Sequence, residues 1–309
     1  MNASIGAGAL VSRPAAGLKR KLIHDIERAA GRHDEARFYA GPPGDLGLCG
    51  GPDSMSWELH ADFASVVVAG NAAVLMEVMH PSVMHGVHTQ SAYRTQTARR
   101  TRNTLGYVLR TTFGSTEAAT AVIEGVKSMH ARVSGTREDG VQYRALDPEL
   151  IAWVHTCIPW AIMIAFERTR RPLSRDEKDR YLSEQAVIGR MGGADWVPET
   201  VDQLSDYVER MRPELAMTPE TAEFLAFLEG RLQPDELARS ERFDRWLSVQ
   251  SSMTLMPEWA RRLTGTDHPA WQERTVFAPA SQLRARLVRW AYPEPPCVAL
   301  ARARVQARA

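Results

Sequence analysis

One histidine in this chain sits where an imidazole is costly. Ile151, Val154, His155, Ile158, Ile162 and Phe166 recur at helical spacing, so His155 falls inside the apolar stripe of a helix. A polar ring in such a stripe must be satisfied. Pro159 follows one turn later; it has no N–H for the His155 carbonyl and its ring crowds that carbonyl, so a kink beside the imidazole is expected. Two chemistries satisfy the ring. One is a hydrogen bond to a backbone carbonyl, the commoner fate of a core histidine. The other is a bond to haem iron, for which an imidazole in an apolar wall is suited. The spacing leaves both open.

Arg100 and Thr104 are one helical turn apart and share a face. With Arg99 and Arg102 nearby, they read either as a solvated basic face or as an anchor for a carboxylate or a bound oxygen. Glu77 and His80 have the spacing of half a di-iron carboxylate element, but no second Glu-x-x-His occurs, so that reading is set aside. His80, His85 and His88 are a candidate metal cluster, with local capping the more ordinary role. His130 falls near the end of its helix, where it suits the dipole or lines a pocket. Gly189, Gly192 and Gly193 do not follow a strand pattern and form no phosphate cradle.

The elements that must hold these groups read as helices. Helical periodicity or capping signals cover 19–30, 56–79, 97–112, 116–133, 148–168, 201–211, 218–228, 235–256 and 281–290, with a further helix opened by Ser174 and Glu177 in capping-box spacing. The stretch 56–79 is expected as one long apolar helix, ended by His80 and Pro81 because the residue before proline avoids the helical region. Asp147, Pro148 and Glu149 make a strong helix start. Strand patterns are almost absent. The fold class expected is all-α, in one multi-helix domain. Residues 1–54 are expected as a partly ordered extension, 55–262 as the main helical domain, and 263–309 as a helical extension with a frayed basic tail.

The 309 residues carry a net charge of +1, which gives no broad basic surface for nucleic acid. Three dispersed cysteines, with no Cys-x-x-Cys pair, exclude a zinc or disulfide framework and fit a reducing cytoplasm. The apolar run 66–74 is too short to cross a bilayer and lies between Asp62 and Glu77, so no integral membrane segment is expected.

Several segments together resemble a known family. They are Leu75-Met76-Glu77-Val78-Met79-His80-Pro81, Arg100-x-x-x-Thr104, Phe113-Gly114-Ser115, His130-x-x-Val133-x-Gly135, Tyr143-x-Ala145-x-Asp147-Pro148 and Trp153-Val154-His155. In this order, over about residues 55–262, they are similar to the MpaB and rubber-oxygenase (latex clearing protein) catalytic domains. The resemblance implies a globin-like helical core holding haem b, with His155 as the proximal ligand to its iron and Arg100 and Thr104 near the distal side or haem edge. His130 and Tyr143 are further pocket candidates. Rubber oxygenases carry a lysine close before the matching threonine; here Asn103 precedes Thr104. The MpaB-type branch is therefore the better analogy. The function expected is a haem-dependent oxygenase that takes a small lipophilic or natural-product molecule, with dioxygen or peroxide as partner. The rivals are a non-catalytic haem or gas-binding protein, and a non-haem metal enzyme using His80, His85 and His88.

Overall fold

The computed structural model describes residues 8–232 and 238–307, with side chains from residue 15 onward. The chain starts with a long helix, α1 (Gly8–Ala30), and a single turn, α2 (Ala36–Tyr39). The expected start of the first helix near 19 is thus about three turns late, and the loose segment expected over 1–20 is described only from residue 8.

The apolar stretch expected as one helix is two: α3 (Met55–Ala61) and α4 (Phe63–Val78), which meet at 87°. Asp62 is the corner. Its carboxylate accepts from Arg289 Nε and Nη2 at 2.7 and 2.6 Å, while Arg289 Nη1 also donates to the Thr169 carbonyl at 2.8 Å. A part-buried bidentate pair of this kind fixes geometry that local propensity does not encode. Ser54 caps α3 by accepting from Trp57 N at 3.1 Å.

As the sequence predicts, the chain turns at Pro81. His80 becomes the N-cap of α5 (Pro81–Gln90), its Nδ1 accepting from Ser82 N at 3.2 Å. α6 (Thr97–Phe113) and α7 (Thr116–His130) follow, with Ser115 capping α7. The polar turn after α7 is a small antiparallel hairpin, β1 (Ser134–Thr136) and β2 (Gln142–Arg144), pairing Gly135 with Tyr143.

α8 (Pro148–Thr169) is capped by Asp147 and runs through Pro159 without a break. It packs more closely on α4 than on any other helix, and Trp153 Nε1 donates to the Met76 carbonyl of α4 at 3.1 Å. α8 is long and apolar enough to cross a membrane, but most of it is buried inside the protein, where its apolarity forms the core. α9 (Arg175–Gly192) has the capping box read from Ser174 and Glu177, and ends at Gly193 with φ of 113°, a conformation that favours glycine.

The remaining helices are α10 (Val201–Met211), α11 (Pro219–Leu228), α12 (Arg239–Met253), α13 (Glu258–Thr264), α14 (Ala270–Gln272), α15 (Ala278–Ala291) and α16 (Pro296–Gln306). A π turn (Glu273–Phe277) joins α14 to α15. The helix expected over 235–256 begins at 239 among the described residues; 235–237 lie outside them. Ser252 of α12 bridges α4, accepting from Ala72 N at 3.1 Å and donating to the Val68 carbonyl at 2.7 Å.

The stretch read as a frayed basic tail is instead the end of α16, except for 308–309, which lie outside the described residues. Arg304 is buried and donates to the carbonyls of Tyr39, Asp45 and Phe113 at 2.7, 2.8 and 3.0 Å. The all-α reading holds: among the described residues the hairpin is the only sheet.

Candidate active site

His155 lies on the second turn of α8, and its ring meets α9. The Gln185 carbonyl accepts a hydrogen bond from the imidazole, and burial pulls the ring down to about 4, so it is neutral at physiological pH. One turn further along α9 is Gly189. A Cβ at that position would lie 2.6 Å from His155 Cδ2 and 3.0 Å from Nε2. Only glycine allows α9 to press against the imidazole this closely. The Gln185 amide donates to Ser56 Oγ of α3 at 2.9 Å, which ties the turn of α9 beside His155 to the rest of the core.

Glu77 ends α4. Burial pushes its carboxyl up to about 8, and the Arg100 guanidinium on α6 opposes that rise. Burial lowers Arg100 in turn, and Glu77 raises it. No hydrogen bond joins the two; Arg100 Nη1 donates to Ser91 Oγ. A carboxyl that holds its proton near neutral pH, beside a guanidinium, is a group able to give and take protons.

His155 and Glu77 are strongly desolvated and yet partly exposed. Such groups lie just beneath the surface, where neighbouring side chains displace most of their water. Val67, Gly70, Asn71 and Val74 continue the uncovered stripe of α4 toward its start, and a Cβ on Gly70 would meet nothing within 4 Å. On α8 the partly exposed residues around His155 are Ile151, Val154 and Ile158. Two core helices therefore each leave one largely apolar stripe uncovered, and each stripe carries one titratable group. Tyr107 of α6 shares the pattern: partly exposed, with its phenol pushed up to about 12 by burial.

The other sequence candidates separate. Thr104 is exposed, one turn beyond Arg100. His130 is partly buried at the end of α7, and burial lowers its imidazole. Tyr143 is buried beneath α5: its hydroxyl lies 3.0 Å from His85 Nδ1, and its ring packs on Gly86 and Gly135. Among the described residues no hydrogen bond links His155 to Arg100, Thr104, His130 or Tyr143.

The metal cluster considered for His80, His85 and His88 does not form. His80 caps α5, His85 meets Tyr143, and His88 Nδ1 accepts from Arg94 Nη2 at 3.3 Å. Among the described residues no three His, Cys, Asp or Glu side chains gather as a metal site. The helical turn at Pro81 sends each ring to a different local partner.

Sequence reading weighed Glu77 only as half of a di-iron element and set it aside; its pairing with Arg100, on another helix, gave no local signal. The available signal was a lone carboxylate at the end of an otherwise apolar helix, where only Asn71 and Ser65 are also polar. Gln185 and Gly189 left no signal, since a glycine within a helix acquires meaning only from what it touches.

Compared with known proteins, the chain matches the family model described as "ER-bound oxygenase mpaB/B'/Rubber oxygenase, catalytic domain" over residues 57–291. No curated protein and no solved structure matches it. The matched span contains α4, α6, α8 and α9, and with them Glu77, Arg100 and His155. It also covers most of the chain, which therefore belongs to the mpaB and rubber-oxygenase catalytic-domain family, a family of oxygenases.

Proposed function

We propose that the protein is a haem b-dependent oxygenase of a small lipophilic molecule, with His155 as the residue that would hold the iron. The observation that carries this reading is the state of His155: a neutral, desolvated imidazole in the uncovered apolar stripe of α8, anchored by the Gln185 carbonyl and backed by Gly189; that stripe is proposed as the wall of the haem cavity. A ring held by a backbone carbonyl through one nitrogen presents the other as a donor to metal, and the carbonyl fixes its orientation. The uncovered stripes of α4 and α8 suit a flat apolar macrocycle held between helices in a globin-like manner. The residues present thus fit the group.

Bound haem would supply the activation of dioxygen, which no side chain can perform. The rest is the work of this chain. Arg100 holds positive charge at the cavity, matched to a haem carboxylate or to negative charge developing in the reaction. Glu77 holds a proton at its carboxyl at neutral pH and is able to deliver it to the cavity. Val67, Val74 and Ile158 exclude water and select an apolar substrate. Thr104, at the exposed end of the Arg100 face, is assigned to the entrance, and His130 to the rim. Tyr143 acts through His85 and positions α5. The three cysteines, all buried and free, support a reducing, cytoplasmic setting as part of the same proposal.

The test is an absorbance spectrum with a pyridine haemochrome assay on wild type and His155→Ala, both made with ample haem. Stoichiometric haem b in the wild type, with the Soret band lost or displaced in the variant, is expected. A wild type without haem, or a variant with an unchanged spectrum, overturns the assignment.

A further inference from the structure

α15 is a helix with two different sides. Its inner side, Ser281, Ala285 and Val288, is buried against α4 and α12. Its outer side is apolar as well: Leu283 is 58 % exposed, Trp290 42 % and Leu287 37 %. These are helical-face positions, and Val276 of the π turn extends the line by two turns. From Val276 to Trp290 the ridge is about 21 Å long at 1.5 Å per residue. Exposed Trp271 precedes it in the chain, and Lys19 of α1 reaches its far end, where Nζ sits 5.9 Å over the Trp290 ring; the neighbouring Leu18 is exposed. Scattered surface leucines need no explanation; a continuous apolar line along one helix does.

The charges on this face identify what it meets. α15 has three arginines and no acidic residue. Two of them are used within the fold: Arg284 pairs with Asp244 at 2.8 Å and Arg289 with Asp62 at 2.6 Å. The third, Arg286, lies between Leu283 and Leu287 on the outer side. Arg286, Arg274 and Lys19 have no acidic partner among the described residues. An apolar ridge with a tryptophan near each end and unpaired cations along it matches a lipid surface with anionic headgroups. The leucines enter the acyl boundary, the indoles sit at headgroup level and the cations face phosphate. A second copy is the poorer match. A two-fold contact through this ridge would bring Arg286 and Lys19 of both chains into one desolvated interface with nothing to neutralise them.

We infer that the outer face of α15, with Leu18 and Lys19 of α1, docks the protein peripherally on an anionic membrane surface. The inference does not depend on what fills the cavity beside His155.

The experiment is sedimentation of the full chain with vesicles of phosphatidylcholine alone and of phosphatidylcholine with about one third phosphatidylglycerol. Two double variants are compared, Leu283→Gln with Leu287→Gln and Lys19→Gln with Arg286→Gln. All four positions are at the surface, and unchanged circular dichroism confirms folding. Binding to the anionic vesicles alone is expected. The leucine pair should abolish it, and each cation removed should lower partitioning about fivefold, since each contributes about 1 kcal/mol near such a surface. High salt should do the same. No binding, equal binding to neutral vesicles, or binding that survives the leucine pair overturns the inference. So does a dimer, by light scattering, that the leucine pair dissolves, which would assign the ridge to a second copy.

Discussion

Gly189 of α9 lies directly against the His155 ring of α8: a Cβ on Gly189 would stand 2.6 Å from His155 Cδ2. The backbone of α9 thus serves as the back wall of the imidazole. Gly189→Ala must either move α9 or rotate the ring. Overpacking of this kind costs about 1–3 kcal/mol. The expected outcome is a lower melting midpoint together with reduced haem content after expression with ample haem. Wild-type values of both would show that the contact is slack.

Glu77 gives the protein a pH dependence of definite sign. Its carboxyl is raised by burial from 4.5 to about 8 in the folded state. Between those values the folded chain holds a proton that the unfolded chain releases. Its contribution is therefore fully present below about pH 4.5 and is lost as pH rises through about 8. Urea unfolding of the haem-free protein across that range should show stability falling with pH, and Glu77→Gln should flatten the fall. Parallel profiles for the two proteins would refute the assignment.

Two histidines act in the opposite direction. His60 is buried, with Nδ1 2.7 Å from Thr112 Oγ1 and Nε2 2.8 Å from the Tyr181 hydroxyl, and burial alone pulls it from 6.5 to about 3. His155 is pulled to about 4. Both must charge on unfolding in acid, so their contribution is present above pH 6.5 and is lost as pH falls toward 4 and 3. His60→Leu should be less stable at neutral pH, by about 1–3 kcal/mol from the orphaned Tyr181 hydroxyl, since Thr112 Oγ1 keeps its bond to the Val108 carbonyl at 2.8 Å. It should also be less sensitive to acid than wild type, as read by unfolding at a series of pH values.

Arg304 is the anchor of the C-terminal helix. Its guanidinium closes three backbone carbonyls from the α2 region and the end of α6. Arg304→Met keeps the volume and removes all three donors. Hydrogen bonds from charged groups are worth about 1.5–3 kcal/mol each, and their loss leaves buried acceptors unpaired. A melting midpoint lower by several degrees, with faster proteolysis of 296–306, is the expected result. An unchanged midpoint would return this segment to the status of a tail.

Helices announced by local chemistry were legible in the residue order. Asp147 and Pro148, Ser174 with Glu177, and His80 with Pro81 act within one turn of where they stand, so their meaning survives without a fold. The stripe that carries His155 was legible for the same reason. The family was legible from several short segments in order, and the matched span runs past the expected 262 to residue 291. What escaped notice depends on partners far along the chain. Asp62 breaks an apolar run because Arg289, 227 residues away, needs its carboxylate. The basic end is a helix because Arg304 finds carbonyls more than 190 residues earlier. Glu77 becomes a proton-holding group only when the packing of α4 removes its water and places Arg100 beside it. Gly189 matters only because α9 crosses α8 at His155. Hydrogen bonding and desolvation are properties of neighbourhoods. The residue order states them when the neighbours are local, and folding creates them when they are not.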